Sequence, residues 1–384
     1  MVTMTPVPFS EPPWLRMPSP FYEETHRVWQ KFCRELIGAN LTQYALQWEN
    51  EGAVPAEVYK MMASGLAGPV SSLITGVAYG TPLLIDHAPQ KIKSELIPEI
   101  LKGNKRICIA ITEPDAGSDV AGLQATAVQS ADGKHYVVNG SKKWITNGLW
   151  SDYASTCVRT GGKGPGGLSL LLVPLIIDGV SVRRMEVSGR KCSGTSFIEF
   201  DDVKVPVENL IGKEGNGMRY IMNNFNHERL SIAINVTTQA RVALSSAFEY
   251  VSKREAFGAP LINQPVVRNR LARAGAKLET QWAWVESLVY QYKLLPAHEA
   301  ASKLGGMTAL VKANAGMVLK ECAECAQILF GGNGYTRSGK GEVVEKIARE
   351  VAGARIPGGS EDIMLDLCIR QLYKGYSQPT PSKI

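Results

Sequence analysis

The sequence has no long uninterrupted run of apolar residues, no low-complexity tract and no internal repeat. A membrane-spanning helix needs about 20 mostly apolar residues in succession, so no membrane span is expected, and the missing repeat period argues against repeat architectures. Charged residues make up 20% and hydrophobic residues 45% of the 384 positions, a balance that excludes a disordered chain. These absences leave an ordinary soluble globular protein.

Cysteine is scarce and irregularly spaced. The chain has seven cysteines, and an odd number without regular spacing does not form a disulfide framework. Cys322 and Cys325 form a Cys-x-x-Cys in a helical context, without a second pair. Either they bind a metal or do redox chemistry, or they are two small core residues. We favour the core interpretation and expect no metal site.

Targeting signals are largely missing from the N-terminus. The first forty residues contain no apolar signal-peptide core, and they carry prolines and Glu11 where a mitochondrial presequence would be rich in arginine and free of acids. The last three residues, Ser382, Lys383 and Ile384, differ only in the final side chain from the peroxisomal Ser-Lys-Leu signal. We therefore expect an intracellular protein, located in the peroxisome or otherwise in the cytoplasm.

The positive charge is not concentrated in one block. The net charge is +6 and the pI is about 8.8, but lysine and arginine are scattered along the chain. This distribution favours small anionic ligands over nucleic acid, so no nucleic-acid partner is expected.

The periodicity of apolar residues changes twice along the chain. Helical spacing extends to about residue 106, short alternating or β-branched runs follow from 107 to 211, and long helical segments return from 212 to 384. Among the runs, Asp132-Gly133 separates two alternating segments and predicts a hairpin. The order predicts an α+β protein with an N-terminal helical domain (1–106), a β-domain (107–211) and a C-terminal helical domain (212–384).

Two motifs in the β-region present small polar residues beside strands. AITEPDAGSD at 110–119 is a strand followed by a tight turn, whose backbone N–H groups and Thr112 and Ser118 hydroxyls can bind a flat heterocycle or a pyrophosphate. A sharp surface turn is the alternative. GSKKWITNG at 140–148 contains Trp144, which is either a core anchor or a cover for one face of a planar cofactor.

Three further motifs lie in the C-terminal block. REAFGAPL begins with Arg254 just after a long helix, where a guanidinium suits a phosphate but where helix ends also attract cations in general. GGNGY at 331–335 and PGGSED at 357–362 are glycine-rich breaks after helices, which allow close approach of a ligand or simply end the helices.

In this order and at these intervals, the motifs closely resemble those of the acyl-CoA dehydrogenase family of flavoproteins. The resemblance extends from about residue 82 to 372 and also includes FDDVKVPVENLIG, GNGM and ERL. It implies an acyl-CoA dehydrogenase-like α+β fold with an N-terminal helical domain, a middle β-barrel-like domain and a C-terminal four-helix bundle. It further implies FAD held between sheet and bundle, and across a subunit boundary of a homodimer or homotetramer.

The resemblance also implies roles for individual residues. Contacts with the flavin ring are implied for Ile109, Ile111, Thr112, Trp144, Ile145 and Thr146. Contacts with the rest of FAD are implied for Gly117, Ser118, Arg254, Phe257, Ser360 and Asp362, and for Gly331 and Gly332 of a neighbouring subunit. Contacts with the acyl-CoA are implied for Ser118, Asn226, Arg229, Gly358 and Gly359.

One departure from the family pattern concerns the catalytic base. Most members carry a glutamate at the position of Gly358, and glycine cannot take a proton. Two branches, acting on branched short-chain and on long-chain acyl-CoAs, resemble this sequence in placing the base at the position of Glu228. Independently, Glu228 interrupts an apolar stripe formed by Ile221, Phe225 and Ile232 at helical spacing, and a desolvated carboxylate is a stronger base. A structural ion pair is the alternative for Glu228, and Glu361 is the reserve candidate for the base.

The predicted function is FAD-dependent α,β-dehydrogenation of an acyl thioester carried by CoA or a carrier protein. The electron acceptor is expected to be another flavoprotein or O2. Two alternatives remain open: an acyl-CoA oxidase or flavin monooxygenase on the same fold, and a flavin-binding protein without catalysis. Release of peroxide in air would identify the first, and failure of every acyl-CoA to reduce the flavin would favour the second.

Overall fold

The structure, a computed structural model, describes residues 6–12, 18–63 and 76–377. The Ser-Lys-Ile ending at 382–384, and with it the peroxisomal prediction, lies outside these residues. The chain divides into two compact units, one formed by Val28–Phe225 and the other by Met1–Arg27 together with Asn226–Ile384. The division into three domains at residues 106 and 211 stays a prediction.

The unit formed by residues 28–225 contains short helices followed by a sheet. The helices in chain order are α1 (Glu24–Asn40), α2 (Ala45–Glu51), α3 (Ala56–Ala63), α4 (Thr81–His87) and α5 (Gln90–Leu101). The strands are β1 (Ile107–Ala110), β2 (Thr126–Gln129), β3 (His135–Ile145), β4 (Tyr153–Arg159), β5 (Leu168–Pro174), β6 (Val180–Arg184), β7 (Ser196–Pro206) and β8 (Leu210–Ile211).

The strands form one mixed sheet. Its order is β6-β7-β3-β2-β4-β5-β8, with β1 paired parallel to β4. The predicted hairpin is confirmed, since β2 and β3 pair antiparallel around Gly133, which has a φ of 69°. A single strand, β3, covers the segment HYVVNGSKKWI, and its pairing with β7 is irregular between Val138 and Gly140 and again between Lys142 and Ile145. Among the described strands the pairing is open from β6 to β8.

The apolar run LSLLLVP forms β5, which is buried along almost its whole length. Alternate side chains of a strand point to opposite faces of the sheet. Leu170 and Leu172 therefore join one core, which also contains Leu83 and Leu84 of α4, while Leu171 joins a second core on the other face. A strand covered on both faces needs a continuous apolar sequence, and β5 has one.

The second unit is mainly helical. In chain order its elements are α6 (Gly217–Lys253, within this unit from Asn226), β9 (Glu255–Ala256), β10 (Ala259–Pro260), α7 (Pro265–Leu294), α8 (Ala297–Phe330), α9 (Glu342–Arg349), α10 (Val351–Arg355) and α11 (Glu361–Ser377). Four of these helices, α6, α7, α8 and α11, are long, in agreement with the helical periodicity of residues 212–384. The short helices α9 and α10 were not predicted.

Helices α6, α7 and α8 share one apolar core. It includes Ala240 and Leu244 of α6, Leu278 of α7 and Leu319 of α8, and both Cys322 and Cys325 belong to it. Burial raises the pKa of the Cys322 thiol, which keeps it protonated. Within the described ranges no group of three His, Cys, Asp or Glu side chains could hold a metal ion. Among the helices described, each lacks the length or the apolarity required to cross a bilayer.

Candidate active site

The turn that follows β1 is attached to β3 by a buried ion pair. The Lys142 ammonium lies 2.7 Å from a carboxylate oxygen of Glu113 and donates to the carbonyl of Ile111 at 3.0 Å. The Glu113 carboxylate also accepts the backbone N–H groups of Gln124 and Ala125 at 2.7 and 3.0 Å. Lys142 and Glu113 are both buried. These bonds connect three segments, β3, the turn and residues 124–125, and fix the start of the AITEPDAGSD turn.

A second connection brings Thr112 and Trp144 side by side. The backbone N–H of Lys143 donates to the Thr112 carbonyl at 2.9 Å, and the next residue, Trp144, has a φ of 61° and an indole that is 48% exposed. The Lys143 ammonium lies 4.6 Å from the indole centroid. The irregular backbone of β3 therefore presents a flat aromatic face beside the turn rather than burying it in the core.

Other residues of this unit with predicted flavin contacts have different surroundings. Ile109 and Thr146 are half-buried, while Gly117 and Ser118 are exposed. The side chains of Ile111 and Ile145 pack into the two hydrophobic cores. Contacts of these isoleucines with the flavin ring stay predictions.

The REAFG motif lies in a short hairpin after α6. Arg254 is exposed, and Phe257 has a φ of 55° and is 94% exposed. A phenylalanine in the left-handed backbone region with its ring in solvent is unusual for a residue without a binding role.

The GGNGY motif lies at the same end of this helical unit. The Tyr250 ring of α6 stacks on Phe330 of α8 with a centroid distance of 4.1 Å, and its hydroxyl accepts a hydrogen bond from Asn333 at 3.0 Å. Gly331 and Gly332 are exposed. The contribution of these glycines from a neighbouring subunit stays a prediction.

The Glu228 carboxyl is buried within the helical unit. Burial raises its pKa to about 7, against the opposing effect of the positive charges of Arg229 and Lys312. In the described part of the chain its Oε2 accepts no hydrogen bond. The ion-pair interpretation required a bonded cation, and the structure records no ion pair for this carboxylate among the described residues.

Gly358 faces the same space. A Cβ built at Gly358 would lie 3.9 Å from Oε1 of Glu228 and 2.8 Å from Cδ1 of Ile232. A side chain at 358 would therefore point at the carboxyl of 228. Gly358 also has a φ of 71°, so the backbone favours glycine here. By resemblance, position 358 holds the glutamate in most relatives, and position 228 holds it here. Side chains at these two positions would point into the same space.

The carbonyl groups of the turn at 355–359 bind two buried cations. Arg229 donates through Nε to the Gly358 carbonyl at 3.0 Å. The Lys312 ammonium donates to the carbonyls of Arg355 and Gly359 at 2.8 and 2.5 Å. Arg229 also lies 3.4 Å from the side-chain oxygen of Asn226. The structure therefore brings Asn226, Arg229, Gly358 and Gly359 together, and their contacts with the acyl-CoA stay predictions.

Glu361, the reserve candidate for the base, is engaged elsewhere. Its two oxygens accept from Arg355 at 2.7 and 2.8 Å, and this bond to Arg355 lowers its pKa. A carboxylate held ionised by an arginine is a weak proton acceptor. Of the two candidates, Glu228 fits the role of a base. Ser360 is half-buried and Asp362 is exposed at the start of α11, and their FAD contacts stay predictions.

Two family models match the sequence. Residues 108–203 match the middle domain of acyl-CoA dehydrogenases, and residues 215–373 match the C-terminal domain. Acyl-CoA dehydrogenase apdG of Emericella nidulans is 53% identical, with 97% of each chain covered. The chain belongs to the acyl-CoA dehydrogenase family.

A second relative and a solved structure indicate the same family. Acyl-CoA dehydrogenase AFT10-1 of Alternaria alternata is 34% identical, with 96% of each chain covered. The crystal structure of an acyl-CoA dehydrogenase from Geobacillus kaustophilus has a TM-score of 0.84 at 27% identity, and the match covers 92% of this chain and all of that one. The predictions of an acyl-CoA dehydrogenase-like α+β fold, of an oxidoreductase, of FAD as cofactor and of acyl-CoA dehydrogenation are confirmed.

The residues of the β-unit fit the FAD of this family. The exposed indole of Trp144 offers an apolar face to a flat ring, and the turn at 110–119 carries the exposed Ser118 hydroxyl. Trp144 and Ser118 are both exposed in this fold. A tryptophan with only a structural role, or a turn packed against the core, would have no need of this exposure.

Sequence reasoning missed Lys312 and the pair of Lys142 with Glu113. A signal existed for Lys312, because it interrupts the run TALVKANAG in which Ala309, Val311 and Ala313 are buried. The same reasoning that identified Glu228, a charge on an apolar helix face, applies to it. A similar signal existed for Lys142, because two-residue spacing along β3 places it with the buried Tyr136 and Val138.

The raised pKa of Glu228 predicts a pH-dependent stability. Below its unfolded pKa of 4.5 the group is protonated in both states, and between 4.5 and about 7 the unfolded state is ionised while the folded state stays protonated. The folded state therefore loses about 3 kcal/mol of stability as the pH rises through this window, and no more above it. We expect the stability of Glu228→Gln relative to the wild type to rise by that amount between about pH 4 and 8 and to level off above about 7, measured by urea unfolding.

The control for this experiment is Glu249→Gln, an exposed residue of the same helix. Its stability difference from the wild type should stay within about 0.5 kcal/mol at every pH. A Glu228→Gln difference that is equally flat with pH would show that the carboxyl is not desolvated.

Proposed function

We propose that Glu228 is the base that removes the α-proton of an acyl-CoA thioester in this enzyme. The observation that carries the proposal is the buried carboxyl of Glu228, whose Oε2 accepts no hydrogen bond among the described residues and whose Oε1 faces Gly358. A carboxylate that water solvates poorly gains more from accepting a proton. It remains ionised in a useful fraction of molecules near neutral pH, because its pKa is about 7.

The turn at 355–359 supplies the second part of the proposed mechanism. The α-proton of a thioester is weakly acidic, so negative charge developing on the thioester oxygen must be stabilised as the proton leaves. The carbonyls of Gly358 and Gly359 are occupied by Arg229 and Lys312. In a trans peptide the following N–H points the opposite way, so Gly359 and Ser360 present donors on the other side of the turn for the thioester oxygen.

The bond changes are simple. The α C–H bond breaks, its proton goes to a carboxylate oxygen of Glu228, and its electron pair forms the α,β double bond as the hydride leaves the β-carbon. FAD supplies the acceptor for that hydride. The residues of this chain orient the thioester, exclude water around the carboxyl and hold the proton.

Anaerobic titration of the flavin-loaded protein with acyl-CoAs of different length and branching tests this function. We expect at least one acyl-CoA to bleach the yellow flavin absorbance. The reduction rate divided by the dissociation constant should rise about tenfold per pH unit below a midpoint near 7 and level off above it, since this ratio reports the free enzyme. Failure of the whole panel to reduce the flavin would contradict the function.

The proposal also covers the electron acceptor, the carrier of the acyl group and the oligomeric state. We propose that CoA carries the acyl group, that another flavoprotein accepts the electrons, and that the chain forms a homo-oligomer. Stoichiometric peroxide release during turnover in air would instead identify O2 as the acceptor, and size-exclusion chromatography with light scattering would distinguish a dimer from a tetramer.

A further inference from the structure

Lys312 is a buried lysine for which the established activity gives no role. It lies in α8 and its neighbours in sequence, Val311 and Ala313, are buried. Among the described residues the structure records no ion pair for it, and its ammonium donates only to backbone carbonyls. Burying an ammonium without a carboxylate partner is unfavourable. Burial lowers the pKa of Lys312 to about 8.

The two hydrogen bonds of Lys312 lie on either side of the glycine pair. One goes to the Arg355 carbonyl at the end of α10 and the other to the Gly359 carbonyl. Two glycines with φ of 71° and 102° have many accessible backbone conformations in the absence of such contacts. Fixing the carbonyl on each side selects one orientation of the intervening peptide planes, including the Ser360 N–H.

The charge of Lys312 also acts on Glu228. The charged and titratable groups around this carboxyl come from three directions: Arg229 on its own helix, Lys312 on α8, and the pair of Arg355 and Glu361 beside Lys312. Tyr292 of α7 faces Arg229 and is hydrogen-bonded to Thr308 at 2.8 Å. Glu361 already pairs with Arg355. Its carboxylate therefore does not bond to the Lys312 ammonium, and the charge of Lys312 acts on Glu228.

We propose that Lys312 is a positioning residue for the reaction, which fixes the turn at 355–359 beside Glu228 and favours the ionised form of the Glu228 carboxyl. This inference rests on the proposed role of Glu228 as the base. The Lys312 ammonium donates to carbonyls of the turn. It acts through the turn and through the carboxyl.

The test is an infrared pH titration of the protonated carboxyl of Glu228 in the flavin-loaded protein, with the band identified by its absence in Glu228→Gln. In Lys312→Met we expect the midpoint to move upward by about one pH unit, since a nearby positive charge is lost. The control Lys320→Met removes an exposed charge from the same helix, and its midpoint should stay at the wild-type value. Lys312→Gln gives the same comparison should Lys312→Met fail to fold.

Kinetics provide the second readout. At pH 7 the Lys312→Met enzyme should reduce its flavin about fivefold more slowly or worse, because a midpoint one unit higher leaves about a tenth of the carboxyl ionised. An unchanged infrared midpoint in both variants would overturn the proposal. The infrared titration uses no acyl-CoA, so its outcome is independent of the acyl-CoA titration that tests the function itself.

Discussion

Glu228→Gln should slow the anaerobic reduction of the flavin by acyl-CoA about a thousandfold. Glutamine has nearly the shape of glutamate but cannot accept the α-proton, and general bases typically contribute 10²- to 10⁴-fold. Because the substitution preserves packing around Ile232 and Gly358, the dissociation constant of the acyl-CoA should change only a few-fold. Stopped-flow measurement of flavin absorbance separates the two quantities.

Two further variants make the result specific. Glu249→Gln lies on the exposed part of the same helix, where Glu249 pairs with Lys253, and should reduce its flavin at the wild-type rate. Glu361→Gln removes the reserve candidate. If Glu361→Gln lost flavin reduction while Glu228→Gln kept it, Glu361 would be the base and the assignment of Glu228 would be contradicted.

Lys142→Met should destabilise the enzyme by about 3 to 5 kcal/mol, the range expected when one partner of a buried ion pair is removed. The Glu113 carboxylate would stay buried without its ammonium partner, which lies 2.7 Å away. The turn that carries Thr112 and Ser118 would also lose the bond from Lys142 to Ile111. We therefore expect weaker FAD retention in addition to a lower free energy of unfolding, measured by urea denaturation and by flavin release.

A double-mutant cycle separates the charge from the packing. Replacing both partners, Lys142→Met with Glu113→Gln, should be less destabilising than the sum of the single changes, because no buried charge is left alone. Lys105→Met, which breaks the partly exposed pair with Asp152 at 2.9 Å, should change stability by less than about 1 kcal/mol. Equal effects of Lys105→Met and Lys142→Met would contradict the structural role of the buried pair.

The elements that local periodicity determines could be predicted from the sequence. Helix α6 covers the stretch from Gly217 to Lys253, which contains no proline and no internal glycine, and the hairpin at Gly133 follows from its turn residues. The interruption of the apolar stripe at Glu228 was visible for the same reason. Each of these features depends on residues close together in the chain.

Contacts between distant segments could not be predicted in this way. The proximity of Gly358 to Glu228, and the bonds from Lys312 to Arg355 and Gly359, join parts of the chain that lie more than 40 residues apart. The length of β3 depends on pairing with β7 and on irregular backbone at Trp144. Only tertiary packing determines these arrangements, and a single sequence contains no periodicity that reports them.

Glu228 also illustrates a conflict between stability and activity. The burial that raises its pKa to about 7 and suits it to proton abstraction is the burial that makes its ionised form destabilising. The same substitution, Glu228→Gln, is therefore expected to raise stability near pH 8 and to remove the reaction. Opposite effects of one change on two properties are difficult to explain for a residue with a purely structural role.

The most direct test of Glu228 as the base is exchange of the substrate's α-hydrogens with solvent. An acyl-CoA analogue whose β-position carries no transferable hydride is incubated with the flavin-loaded enzyme in D2O, and deuterium at the α-carbon is followed by mass spectrometry. The wild-type enzyme should incorporate deuterium, and Glu228→Gln should incorporate it no faster than the analogue alone while still binding it. Incorporation at the same rate by both proteins would show that another group takes the proton.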